Sequence, residues 1–165
     1  MIPLKAGYSY RVKAQKAGTD DNPRPLRFLE CNHLPLGHRA TCIDVDRGAD
    51  EGQSTIHFTD MVNGDSRDPI SFGGRTYLIW FLGSIIRYIN VTDRESQLYK
   101  DDGNLETGDY LECTPYDMGN HFTLWIQKRN SPILFVGIEK FESGWYLTVS
   151  PFENAARFYV DGPEL

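Results

Sequence analysis

Bulky and polar residues alternate along nearly every apolar stretch of this chain, and that period of two limits its fold more than any other feature. In "YSYRVKA" (Tyr8 to Ala14), "STIHFTDM" (Ser54 to Met61) and "HFTLWIQK" (His121 to Lys128), every second side chain would face the same way on an extended strand. No window carries apolar residues at i, i+3, i+4 and i+7 for three turns, the stripe a packed helix needs. The chain therefore reads as all-β.

Twelve strands follow from the alternation and its breaks: Tyr8 to Ala14, Leu26 to Cys31, Ala40 to Asp46, Ser54 to Met61, Thr76 to Leu82, Ile85 to Val91, Ser96 to Lys100, Tyr110 to Thr114, His121 to Lys128, Pro132 to Glu139, Trp145 to Val149 and Arg157 to Val160. Segments such as "AGTDDNPRP", "NGDSRDP" and "YDMGN" separate them, rich in the Gly, Asn, Asp and Pro that tight turns demand. The twelve group into three sets of four, each opening on an aromatic strand after a Gly or Asn turn: "AGYSYRV", "GGRTYLIWF" and "MGNHFTLWI". A recurrence of about 50 residues marks a repeat architecture. Three four-stranded units predict a β-trefoil, with "ARFYV" near the C-terminus lying beside "YSYRV" so that no sheet edge is left open. A lipocalin-like barrel and a sandwich are the other architectures compatible with this strand count.

The 165 residues suit one domain, 1–165, long enough to bury a core without disulfide staples. The longest apolar run, "YLIWFLGSII", is broken at Gly83 and Ser84, well short of the roughly eighteen residues of a membrane helix. The first residues, MIPLKAGYSYRV, lack the basic start and apolar stretch of a signal peptide, which predicts a cytoplasmic location. A net charge of -6 with scattered Lys and Arg argues against a nucleic-acid surface. Cys31, Cys42 and Cys113 are odd in number and include no CxxC pair, so they read as buried reduced thiols.

A search for catalytic or metal-binding groups leaves little. "CNHLPLGHRATC" places His33 and His38 between Cys31 and Cys42, but that spacing fits no structural zinc pattern. His57 and His121 lie in strand-like runs, as do Cys42 and Cys113, where a reactive thiolate is not expected. There is no GxSxG, P-loop or GxGxxG, and the acidic pairs Asp20-Asp21, Asp50-Glu51 and Asp101-Asp102 lack the alternating register of a calcium loop. The expectation is a binding protein, not an enzyme, with no cofactor and no metal. Trp80, Trp125 and Trp145, with Tyr77, Phe81, Phe122 and Tyr146, are expected in a barrel core. Asn63, Asp65, Asp117 and Asn120 are the residues a sugar pocket would use, although the sequence has no QxW repeat. The sequon "NVT" at Asn90 to Thr92 ends a predicted strand and reads as silent.

The opening "PLKAGYSYRVKA" resembles the GxYxIR first strand of fungal β-trefoil proteins. The later "GDYLECTPYDMGNHFTLWIQKRNSP" and "ESGWYLTVSPFENAARFYV" are similar to the third repeat of the mycocypins, the clitocypin-like and macrocypin-like inhibitors of cysteine proteases. The resemblance implies a rigid trefoil that occludes a papain-like cleft with two loops, the one after the first strand and the one between strands three and four. Carried onto this chain they are "KAGTDDNPRP" (Lys16 to Pro25), with Ala17, Gly18, Thr19 and Asp20, and "DRGADEG" (Asp46 to Gly52), with Arg47, Gly48, Ala49 and Asp50. Small residues and Gly let backbone enter a narrow cleft, and a pre-ordered loop loses little entropy on binding. Arg47-Gly48 would also suit a substrate-like serine-protease mode, whereas Arg24, between two prolines, would not. The family's activity against asparaginyl proteases is not carried over, because "LGSI" lacks the needed Asn. This chain departs from the family in its three cysteines and in the composition of its first loop. A second segment, "FESGWYLTVSPFEN" (Phe141 to Asn154), is similar to the "FES…WY" segment of interleukin-one-like cytokines, also β-trefoils. A carbohydrate-binding lectin and a cytokine-like receptor ligand are thus the alternatives to a protease partner.

Overall fold

The computed structural model describes the backbone of residues 3–15, 24–25, 27–31, 40–44, 55–81, 84–89, 97–101, 112–126, 134–141 and 144–164, and the side chains of 3–15, 55–80, 112–126, 134–138 and 150–160. The strands are β1 (Ser9–Gln15), β2 (Arg24–Pro25), β3 (Arg27–Cys31), β4 (Ala40–Asp44), β5 (Thr55–Asp60), β6 (Tyr77–Phe81), β7 (Ser84–Ile89), β8 (Gln97–Asp101), β9 (Glu112–Asp117), β10 (Phe122–Ile126), β11 (Leu134–Phe141), β12 (Gly144–Ser150) and β13 (Arg157–Glu164). One turn of 3-10 helix, Phe152–Asn154, lies between β12 and β13, and no α-helix occurs among the described residues.

Six strands close a ring. β1 pairs with β5 (Tyr10↔Ile56), β5 with β6 (Phe58↔Ile79), and β6 with β9 (Tyr77↔Cys113). The circuit continues from β9 to β10 (Leu124↔Pro115), β10 to β13 (Phe122↔Phe158) and β13 back to β1 (Val12↔Val160), every pair antiparallel. The expected pairing of "ARFYV" with "YSYRV" is therefore present. Three hairpins, β3–β4, β7–β8 and β11–β12, complete the sheet. They pair with one another through Trp145↔Ile43, Ala40↔Tyr99 and Thr148↔Gln97, which makes a closed triangle over one end of the ring.

The count of twelve strands needs correction, since thirteen are described. In the second and third repeats the ring strand runs straight into its hairpin, through Trp80↔Ile85 and Trp125↔Phe135. In the first repeat that place is taken by β2, which pairs with β1 through Lys13↔Pro25 and Ala14↔Arg24, ahead of β3. Pro25 has no N–H to offer the ladder, so sequence alternation alone does not reveal this two-residue segment.

Each ring strand sends alternate side chains inward. Tyr10, Val12, Ile56, Phe58, Tyr77, Ile79, Cys113, Phe122, Leu124 and Phe158 form one buried cluster, with Phe58 meeting both Tyr77 and Phe122 edge-on at centroid distances of 6.0 and 6.1 Å. Trp80 and Trp125 are corrected by this geometry: they follow the inward Ile79 and Leu124 by one position, and so lie half-buried on the outer face. The interior of a six-stranded ring is narrow, and Tyr and Phe fill it.

The threefold pattern also appears in the backbone. The positive-φ glycines among the described residues are Gly7 (78°), Gly73 (73°) and Gly119 (100°), one just ahead of β1, β6 and β10. Gly7 N donates to Phe58 O of β5 at 2.8 Å, and Gly73 N donates to Pro115 O of β9 at the same distance. The turn that opens a repeat is thus pinned to the strand that closes it.

Candidate functional site

The residues expected to enter a protease, Ala17, Gly18, Thr19, Asp20, Arg47, Gly48, Ala49 and Asp50, lie outside the described residues. Their anchors do not. The first loop leaves β1 at Gln15 and returns at β2, where Ala14↔Arg24 and Lys13↔Pro25 tie its base. The second loop lies between β4 and β5, and β5 enters the ring with Thr55 opposite Arg11 of β1. Because β1 and β5 are antiparallel, the C-terminal end of β1 and the N-terminal end of β5 point to the same end of the ring, β1 running on past the Arg11↔Thr55 pair to Gln15. Both loops therefore join the ring at the same end, on neighbouring strands. The backbone of Arg24 is held in a ladder against β1.

The sugar-pocket residues fall into two separate turns, where Asn63 and Asp117 accept backbone N–H groups and Asn120 accepts from a neighbouring side chain. Asn63 Oδ1 accepts the N–H of Asp65 at 3.1 Å, and Asp117 Oδ1 accepts that of Gly119 at 2.9 Å. Asn120 Oδ1 accepts Nδ1–H of His121 at 2.7 Å. Such bonds are the ordinary work of Asn and Asp in turns.

Cys113 is fully buried and unbridged, and burial, reinforced by Glu112, raises its pKa far above the usual thiol range. It is an inert core residue. Cys31 and Cys42 lie in β3 and β4, with side chains outside the described set, and His33 and His38 are outside it altogether. Among the described residues no three His, Cys, Asp or Glu groups converge as metal ligands. His57 sits in β5 with Nδ1 3.2 Å from Ser9 Oγ; burial, and then the charge of Arg67, lowers its pKa.

A feature missed by the sequence reading is a groove of about 440 Å³ between β10, β13 and the 3-10 turn. Met118, Phe152 and Ala155 supply apolar wall, while His121, Thr123, Glu153 and Arg157 supply polar groups. The register Phe122↔Phe158 sets it up, because it turns His121, Thr123, Arg157 and Tyr159 to the outer face together. The rings of His121 and Tyr159 are 5.6 Å apart. Phe152 is 58% exposed yet meets Phe135 edge-on at 5.2 Å, so an apolar surface is presented to solvent in a held position. No sequence signal joins the lining residues, since they come from two stretches, 118–123 and 152–157, brought together by strand pairing.

A closed six-stranded ring capped by three mutually paired hairpins defines a β-trefoil-like protein. Among solved structures the fold is similar to that of trypsin inhibitor 1 from Senna obtusifolia, with a TM-score of 0.64 over 96% of this chain and 85% of that one, at 14% sequence identity. No family model and no curated protein matches the chain.

Proposed function

We infer that the protein is a β-trefoil protease inhibitor, a single domain that binds rather than catalyses. The observation carrying this reading is that the fold likeness to a protein named as a trypsin inhibitor coincides with two candidate loops rooted at one end of adjacent ring strands. Occlusion needs no chemistry from the inhibitor, only stiffness and access. A ring closed by backbone ladders on every side supplies the stiffness, and a loop tied at Ala14↔Arg24 starts from a fixed base. Residues 17–20 and 47–50 are the contact positions in this proposal.

The mycocypin resemblance favours a papain-like target, while the structural likeness favours trypsin, for which Arg47 is the candidate side chain. Titrating each protease with the protein and following peptide hydrolysis separates them. Full residual activity of both enzymes at micromolar protein would remove the inhibitor reading. Retention on immobilised sugars in the same preparation would replace it with the lectin reading.

A further inference from the structure

We propose that the groove between β10, β13 and the 3-10 turn Phe152–Asn154 binds a small carboxylate with an apolar body, its charge held by Arg157 and its body against Met118 and Phe152. Arg157 is only partly exposed and has no ion pair or side-chain hydrogen bond with any described residue, although Glu153 borders the same groove. A guanidinium brought out of full solvent without an acceptor is a stored binding capacity, because its fork of donors matches a carboxylate in geometry and charge.

Beside it, Thr123 is 3% exposed and its Oγ1 has no hydrogen-bond partner. An unmet buried hydroxyl is unfavourable until a ligand oxygen or a water reaches it. His121 spends Nδ1–H on Asn120. Burial and the neighbouring Arg157 keep its pKa low, against the opposing pull of Asp117, so the ring is neutral at pH 7 and its Nε2 adds no charge to the pocket. The walls are the exposed ring of Phe152, with Met118 and Ala155, and the volume suits a molecule of one ring rather than a protein segment. Glu153, exposed, is the carboxylate among the described lining residues and works against an anion.

The test uses phenylacetate as the probe and phenylacetamide, the same shape without the charge, as its control, with affinity from calorimetry on the whole protein. Phenylacetate is expected to bind about tenfold or more tightly than the amide. Arg157→Gln should erase that difference, and Glu153→Gln should tighten phenylacetate binding while leaving the amide alone. Because Glu153 is exposed, its variant reads the electrostatics even if Arg157→Gln proves hard to fold. Equal affinity for acid and amide, no phenylacetate binding at millimolar concentration, or no response to Glu153→Gln overturns the proposal.

Discussion

Tyr10 and Tyr77 hold the same place in two successive repeats. The buried hydroxyl of Tyr10 accepts the backbone N–H of Lys5 at 2.8 Å, and that of Tyr77 accepts the N–H of Ser71 at 2.9 Å. In each case a core ring on the first strand of the repeat reaches back to fix the segment that leads into it. The third repeat has Phe122 at this place, with no hydroxyl to give, and it stacks instead on Phe158 at 5.5 Å.

Tyr77→Phe therefore leaves the ring packing intact and removes one bond, at an expected cost of about 0.5–1.5 kcal/mol in urea unfolding. Phe158→Ala removes core volume at the seam where the last strand closes the ring, at an expected cost of about 3–5 kcal/mol. If the two variants lost equal stability, the closing role given to Phe158 would be wrong.

Gly119 has φ near 100° and open space around its Cα, so an added methyl meets nothing within 4 Å. Any loss in Gly119→Ala is then backbone strain, about 1–2 kcal/mol. Gly64 is the control: its φ is not left-handed and the nearest atom, Thr59 Cγ2, is 3.9 Å from an added Cβ. Thermal unfolding should find Gly64→Ala close to the parent and Gly119→Ala clearly below it.

The acid limb of stability is expected to involve Asp60. Burial pushes its pKa up, but hydrogen bonds from Val62 N, Arg75 and Asn63 N outweigh burial and leave it below 3.8. A carboxylate whose pKa is lower folded than unfolded adds stability that is present above the unfolded value and is lost as pH falls through the folded one. Asp60→Asn should lower stability at pH 7 by about 1–3 kcal/mol and flatten the dependence below pH 4. An unchanged acid limb would contradict this assignment.

His57 and His121 act in the same direction as Asp60, at higher pH. Burial lowers both, with Arg67 adding to the effect at His57 and Arg157 at His121, so the unfolded chain takes up their protons first, near 6.5. The unfolded state then binds more protons, and stability falls as pH drops below about 6.5 toward the folded values. His57→Gln should reduce this slope in urea titrations at pH 5 to 7, and a steeper slope would contradict it.

Much of this was legible before the structure. The alternation in "YSYRVKA" and "HFTLWIQK" identified ring strands, and the turn before each aromatic strand marked Gly7, Gly73 and Gly119 as repeat starts. What alternation cannot say is which of two faces is inside, and Trp80 and Trp125 were assigned to the wrong one for that reason. The lead-in segments were also invisible: Leu4 and Ile70 are buried and joined by Ile70 N to Leu4 O at 2.9 Å, yet both lie in stretches with no strand period. The groove of His121, Thr123 and Arg157 depends on one cross-strand register, Phe122↔Phe158, between residues far apart in the chain.

The loop assignment is tested by Gly48→Trp and Arg47→Ala. Each variant is paired with a urea unfolding curve, so that a change in inhibition is read only from folded protein. The bulky side chain should weaken papain inhibition at least about tenfold by blocking entry to the cleft. Arg47→Ala should act on trypsin and spare papain. Parent-like inhibition by both variants would move the contact surface elsewhere on the trefoil.

The most direct measurement is a stoichiometric titration of active papain and active trypsin with the purified protein, read as residual peptide hydrolysis. The activity of papain, or of trypsin if Arg47 is the key residue, is expected to fall in proportion to added protein and reach a plateau near equivalence. Undiminished hydrolysis by both enzymes across the titration, with the trefoil shown to be folded, would contradict it.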